Sequence, residues 1–242
     1  MAQKTELEQI FASKAGDIAE AEDAHWWFSG KRKLVASVLA KLKPAKTLDI
    51  GCGTGSGLQS YSKVSSTYGC EFSEAALSHA KKRGLYRLAK SKAEDLPFKS
   101  GSFDAVTILD VLEHLDGDIA ALSEINRILK KGGHVIINVP AHMFLWQKAD
   151  DALGHKRRYS FSELKEKVEN RGFRIKKLTY WNFLLFPYAV AFKMINKEEN
   201  TKKHGAISNK LLHTALLVDN FLITKGFGLP FGISLFCIAQ KK

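Results

Sequence analysis

The sequence predicts a doubly wound α/β sheet, and three observations carry that prediction. An apolar strand, Thr47-Leu48-Asp49-Ile50, runs into a turn with three glycines, Gly51-Cys52-Gly53-Thr54-Gly55. Glu71 stands 20 residues beyond Gly51, at the end of a second short apolar segment. Helical and strand-like segments then alternate along most of the chain. Glycine permits positive φ and removes the Cβ that would block a ligand, and Ser56 behind it opens a helix with free N–H groups. This is the first βα turn of a fold that holds a nucleotide-like cofactor at its carboxyl edge, and an acidic residue after the second strand can accept both hydrogen bonds of a ribose diol.

The turn excludes two common cofactors. A dinucleotide fingerprint needs G-x-G-x-x-G, but counting from Gly51 its third glycine is Ser56, and counting from Gly53 it is Leu58. The Gly-Lys-Ser/Thr of a phosphate-binding loop is absent as well. The chain has 242 residues with 45% hydrophobic content, enough for one large domain with insertions or a domain with a small lobe. Three widely spaced cysteines, Cys52, Cys70 and Cys237, fit no metal spacing or disulfide framework, which points to a reducing, cytoplasmic setting. No secretory leader is visible in the first residues. The net charge of +12 favours anionic partners, or is a solvated lysine-rich surface.

In order, residues 4–24 read as a helix with Leu7, Ile10 and Phe11 on one side. His25-Trp26-Trp27-Phe28 follows, either a plug that packs this helix down or a lid in which Trp27 covers the cofactor and Lys31 or Arg32 reaches its carboxylate. A helix is expected over 31–42, strand 1 over 46–50, a helix over 56–63, strand 2 over 67–70, a helix from Ser73 to Gly84 and strand 3 over 85–89. Strand 4 covers 103–109, a helix 116–130 ends at Lys130-Lys131-Gly132-Gly133, and strand 5 covers 134–139. Ser160 caps a helix over 161–170, with Glu163 completing a capping box, before strand 6 at 173–180. About 50 residues then intervene before strand 7 at 233–239. They hold an apolar segment, 183–195, a lysine-rich linker, 197–205, and an amphipathic segment, 209–223, interrupted by His213 and Asp219. Thirteen apolar residues are too few to cross a bilayer. They can line an acceptor pocket, form a dimer face, dip into an anionic membrane surface or pack as a helical cap.

The glycine loop, Glu71, Ala93-Glu94-Asp95-Leu96-Pro97-Phe98 and Asp110-Val111-Leu112-Glu113-His114-Leu115 together resemble the class I S-adenosylmethionine (SAM) dependent methyltransferases. The resemblance covers about residues 25–182 and the final strand. It implies a seven-stranded sheet with a reversed last strand and a helical cap insertion. The division it suggests is an N-terminal lid (1–44), a cofactor-binding core (45–182), a cap (183–228) and the last core strand (229–242). Carried onto this chain, the cofactor residues are Trp27, Arg32, Asp49, Gly51, Cys52, Gly53, Gly55, Glu71, Phe72, Ala93, Glu94, Asp95, Leu96, Leu109 and Asp110. One departure is Lys92, where the family often has an aspartate for the adenine amino group.

His114, His142 and His155 are candidate bases beside Asp110. The adopted reading has no metal; in the alternative, Asp110, Glu113 and His114 hold a divalent cation, as a similar pattern does in ubiquinone-type O-methyltransferases. The segment after strand 5, with His142, Asp150, His155, Arg158 and Tyr159, resembles a bacterial subgroup linked with surface-polysaccharide or lipid-linked sugar pathways. A loop of this composition suits a hydroxylated or phosphorylated acceptor, or is a polar network that only orders itself. The expectation is O-methylation of a small-molecule or lipid-linked sugar acceptor by direct displacement. The rivals are RNA or protein methylation, although no RNA-binding motif with interleaved aromatics is present, and a non-catalytic SAM-binding or membrane-docking protein.

Overall fold

The computed structural model describes Gly16 and residues 19–195 and 206–242. Most of the expected helix over 4–24, and the lysine-rich linker, lie outside the described residues; 19–24 are helical. Seven strands form one sheet: β1 (Lys46–Ile50), β2 (Ser66–Glu71), β3 (Leu88–Lys90), β4 (Phe103–Leu109), β5 (Leu129–Pro140), β6 (Phe173–Trp181) and β7 (Ser234–Lys241). Their spatial order is β3-β2-β1-β4-β5-β7-β6. β7 runs antiparallel to both neighbours, so the reversed last strand is present. The helices are α1 (Trp26–Leu42), α2 (Ser56–Tyr61), α3 (Glu74–Lys82), α4 (Asp118–Ile128), α5 (Lys148–Ala152), α6 (Phe161–Asn170), α7 (Phe186–Ile195) and α8 (Ala206–Thr224).

Because side chains alternate along a strand, the sheet feeds two cores. Val106, Val135 and Ile137 face α4 and α6, where Leu122, Ile125, Leu164 and Val168 are buried. Ala105, Ile136 and Phe236 face the other way, onto Leu34, Val35 and Leu39 of α1 and Leu216 and Ile223 of α8. The insertion therefore supplies a layer of the second core. Asp219 and Asn220 stitch it down: Asp219 accepts from the Phe183 N–H at 2.7 Å, and Asn220 accepts from the Trp181 indole at 2.9 Å. Asn220 also donates to the Gly30 carbonyl at 2.8 Å. Asp219, an interruption in the amphipathic pattern, is thus a tertiary contact.

Three boundaries differ from expectation. α1 begins at Trp26, ahead of 31, because His25 Nδ1 accepts from the Trp27 N–H at 3.3 Å and caps the helix. Trp27 lies in its first turn and packs on Trp181, with ring centroids 5.3 Å apart. β5 starts at Leu129, and Lys130-Lys131-Gly132-Gly133 forms a bulge inside the strand, where Leu129 pairs with Phe103 and His134 with Ala105. Gly132 takes a positive φ of 77° there, and Lys130 pairs with Asp104 at 2.6 Å to hold the bulge. β3 covers only Leu88–Lys90.

Gly30 lets α8 approach α1, since a Cβ at that position would lie 2.5 Å from Leu216 Cδ1. Leu216 is fully buried at this crossing. Leu216→Ala should cost about 2–5 kcal/mol, read as a lower urea midpoint with an unchanged slope; an unmoved midpoint would show that α8 is not a structural layer.

Candidate functional site

The glycine loop leaves the carboxyl end of β1, where the N–H groups of Gly51 and Cys52 both donate to the Cys70 carbonyl, at 2.8 and 3.1 Å. Gly51 has φ 69°, and a Cβ there would lie 2.3 Å from Val111 Cγ2. Gly55 has φ 89°, and its Cβ would lie 2.4 Å from Leu85 Cδ1. Both positions therefore require glycine. Glu71 ends β2 and turns back: its Oε2 accepts from the Gly53 N–H at 3.1 Å and its Oε1 from the Ser73 N–H at 2.9 Å. Burial pushes its carboxyl above the usual range, although these N–H bonds oppose that. Phe72 follows it, half-buried. The Cys52 thiol is buried in the sheet, next to where a Gly69 Cβ would stand. Asp49 lies under the loop, 5% exposed, accepting from Thr107 Oγ1 at 2.5 Å.

Glu22 was not among the expected site residues. It is buried, its Oε2 accepts from Thr54 Oγ1 at 2.5 Å, and its Oε1 lies 2.8 Å from where a Gly53 Cβ would stand. Arg32 donates to the Glu22 carbonyl and to Ser56 Oγ, while Arg83 holds Asp23 through two bonds of 2.9 and 3.0 Å. No local spacing signals this contact, because Glu22 and Thr54 are 32 residues apart.

The segment expected on the adenine side is held by Arg127, which donates to the carbonyls of Leu96 and Phe98. Ala93 and Leu96 are buried in the first core, whereas Asp95 is exposed. Glu94 has a buried Oε2 with no hydrogen-bond partner among the described residues.

On the other side of the loop, β4 ends in half-buried Leu109 and then Asp110, at φ 55°. Asp110 forms an ion pair with Lys31 and accepts from Asn138. Glu113 and His114 sit on the one-turn helix Leu112–His114. The His114 and His155 rings meet edge to face, with centroids 4.7 Å apart. Burial lowers His114 to about 4. Asp150 anchors the loop: it bonds His155 Nδ1 at 2.6 Å, Arg158 at 3.0 and 2.8 Å, and the Gln147 N–H at 2.8 Å. Burial alone would raise the Asp150 carboxyl, but His155 and Arg158 hold it down at about 2.

The three histidines do not converge. His142, at φ 63°, stacks on Tyr180 with centroids 5.1 Å apart and packs by Phe144 and Phe186. Nor do Asp110, Glu113 and His114 form the cation triad of the alternative reading, since Asp110 is engaged by Lys31 and Asn138 while His155 joins the other two. Tyr159 is also structural, donating to buried Asp118 at 2.8 Å. Beside Arg158, a cavity of about 220 Å³ is lined by Trp26, Leu145, Leu185, Tyr188 and Phe192.

Burial pushes Asp49 up to about 7, with the Thr107 bond and Lys31 opposing and Glu22 and Glu71 adding to the rise. The folded state then holds this proton more tightly than the unfolded chain. The stability Asp49 contributes falls as pH rises from about 4 to about 7 and is flat above. Urea midpoints of wild type and Asp49→Asn should diverge across that window by on the order of a few kcal/mol; parallel pH profiles would contradict this.

Comparison with known proteins agrees with this fold. Residues 48–137 match the family model of the methyltransferase domain. A demethylmenaquinone methyltransferase of Staphylococcus aureus is 39% identical over 113 residues, 43% of this chain and 47% of that protein. An uncharacterized protein of Methanocaldococcus jannaschii is 33% identical over 124 residues, 49% of this chain and 58% of its own. The chain thus spans about half the length of the curated relatives it matches. Among solved structures, a Thermotoga maritima SAM-dependent methyltransferase, described as a possible histamine N-methyltransferase, superposes with a TM-score of 0.67 at 24% identity, over 98% of this chain and 100% of its own. A chain from a Haloferax volcanii complex between the Trm112 methyltransferase activator and its candidate methyltransferase gives 0.70 at 18% identity, over 99% of each chain. The chain therefore has a class I methyltransferase fold, and its residues 48–137 are similar to the methyltransferase domain.

Proposed function

We propose that this protein transfers a methyl group from SAM to a hydroxyl of an acceptor with an apolar portion, a small molecule or a lipid-linked sugar. The observation that carries this reading is Glu71 turned back onto the glycine loop, in a chain whose polar loop after β5 borders an apolar cavity at Arg158. The loop fits the cofactor: side chains are excluded at Gly51 and Gly55, and acidic Glu22, Asp49 and Glu71 surround it. Glu71 would hold the ribose diol, Ala93 to Leu96 the adenine, and Arg32 with the backbone of Gly51 to Gly55 the amino-acid end. Asp49 would brace the loop from beneath, while Trp27, Leu109 and Asp110 bound the methyl side.

SAM bound there supplies an electrophilic sulfonium methyl. The chain's own residues align the acceptor oxygen with it. In the transfer the oxygen–carbon bond forms as the sulfur–carbon bond breaks, and the hydroxyl proton leaves toward the Glu113, His114 and His155 group. Arg158, fixed by Asp150, offers a donor to a phosphate or hydroxyl at the cavity wall. Tyr188 and Met194 of α7 are 59% and 78% exposed. That surface suits an acceptor delivered at an anionic membrane. No helix among the described residues is long and apolar enough to cross one.

Calorimetry should show micromolar binding of SAM and S-adenosylhomocysteine and none of NADH. Glu71→Ala should weaken SAM at least about tenfold, because a charged acceptor of two ribose bonds is lost. Labelled methyl should then pass to a lipid-linked sugar or a small hydroxylated compound. A folded protein that ignores SAM, or that prefers NADH, would overturn the proposal; methylation of RNA in place of these acceptors would redirect it.

A further inference from the structure

We propose that Glu113, His114 and His155 form a binding site for a divalent transition-metal ion, with Asp150 as the residue that positions His155. One donor atom from each of the three lies within 4.8 Å of the other two. Small side-chain rotations close that span onto one ion, whose bonds to nitrogen and oxygen are about 2.0–2.2 Å.

The independent observation is Glu113. It is fully buried, and neither carboxylate oxygen has a hydrogen-bond partner among the described residues. The nearby cations are engaged elsewhere, Lys31 with Asp110 and Arg158 with Asp150 and the Ala141 carbonyl. A buried carboxylate without a hydrogen-bonded partner costs several kcal/mol, and a metal ion bound to it offsets that cost.

The histidines are set up as ligands. His114 Nδ1 lies 3.3 Å from the Gly154 carbonyl, which can only accept, so Nδ1 carries the proton. His155 Nδ1 lies 2.6 Å from Asp150 Oδ1. In these tautomers the lone pair of each ring is on Nε2, and a carboxylate behind a histidine is the usual support of a metal ligand. The two chain segments are tied directly, since the Lys156 N–H donates to the Glu113 carbonyl at 2.8 Å. Two imidazoles and one carboxylate favour the zinc, cobalt, manganese or iron class over magnesium or calcium, and leave positions open for other ligands. Ligation occupies the lone pairs that otherwise take the acceptor proton, so with the ion bound the ion's polarisation of the hydroxyl replaces that role. This part rests on the transfer reaction proposed above, and binding does not.

The test uses the full chain, stripped with EDTA, dialysed and titrated with Co²⁺ by absorbance, with Zn²⁺ as competitor and Mg²⁺ as control. One equivalent should bind and be displaced by Zn²⁺ but not Mg²⁺. Glu113→Gln and His155→Ala should each weaken Co²⁺ at least 100-fold, and Asp150→Asn by about 10–100-fold. SAM calorimetry on the same samples reports folding, and the wild type also separates the two readings. Wild-type cobalt binding without SAM binding would leave the site standing and sink the transferase proposal. Absence of saturable cobalt binding in the wild type, or equal binding in the folded variants, would overturn the site.

Discussion

Four parallel strands reach the same sheet edge, and each hands over to a residue with positive φ: Gly51 after β1 at 69°, Asp110 after β4 at 55°, His142 after β5 at 63° and Asn182 after β6 at 60°. Three of the four are not glycine, and they are aspartate, histidine and asparagine, the side chains that tolerate this region best. Each turn throws the chain across the edge, where continuation would have extended the sheet. The consequence is a collection of polar side chains from distant segments on one rim. The neighbours then hold these turns in place: Val111 fills the space over Gly51, Asn138 bonds Asp110, and Tyr180 stacks on His142.

That rim has a charge pattern opposite to the chain as a whole. The net charge is +12, yet Glu22, Asp49 and Glu71 crowd the glycine loop closely enough to add to the raised proton affinity of Asp49 and Glu71. Burial is the larger cause, and the mutual repulsion adds to it. Such a pocket favours a ligand that brings positive charge, as a sulfonium and an ammonium do, and disfavours a pyrophosphate. The same conclusion follows from the missing third glycine of a dinucleotide loop, so two independent features select the cofactor class.

The parts of this arrangement legible in sequence are those carried by short spacing. Gly51 to Gly55 followed by Glu71 could be read because strand, turn and helix lengths fix their separation. Asp219 read as an interruption in an amphipathic helix, because its partner, the Phe183 N–H, lies 36 residues away. The bulge of β5 was misread as a helix end because Lys-Lys-Gly-Gly satisfies both descriptions: glycine at positive φ ends a helix or bends a strand equally well. Glu22 and the meeting of His114 with His155 were hidden for the same reason as Asp219. Both depend on where separate segments cross, and no period along the chain encodes that.

The loop after β5 is organised by a single carboxylate. Asp150 bonds Arg158, which borders the apolar cavity, and His155, which meets His114 and Glu113. Both of its oxygens are occupied, and a pKa lowered to about 2 keeps it charged at neutral pH. An anion so fully satisfied does not itself act on an acceptor. It fixes two side chains, one a cation at the cavity wall and the other an imidazole beside a buried carboxyl. The polar loop after β5 is therefore a self-ordering network: Tyr159 and Asp118 tie it to the core, and Asp150 holds the Arg158 and His155 to which the proposed function gives the acceptor.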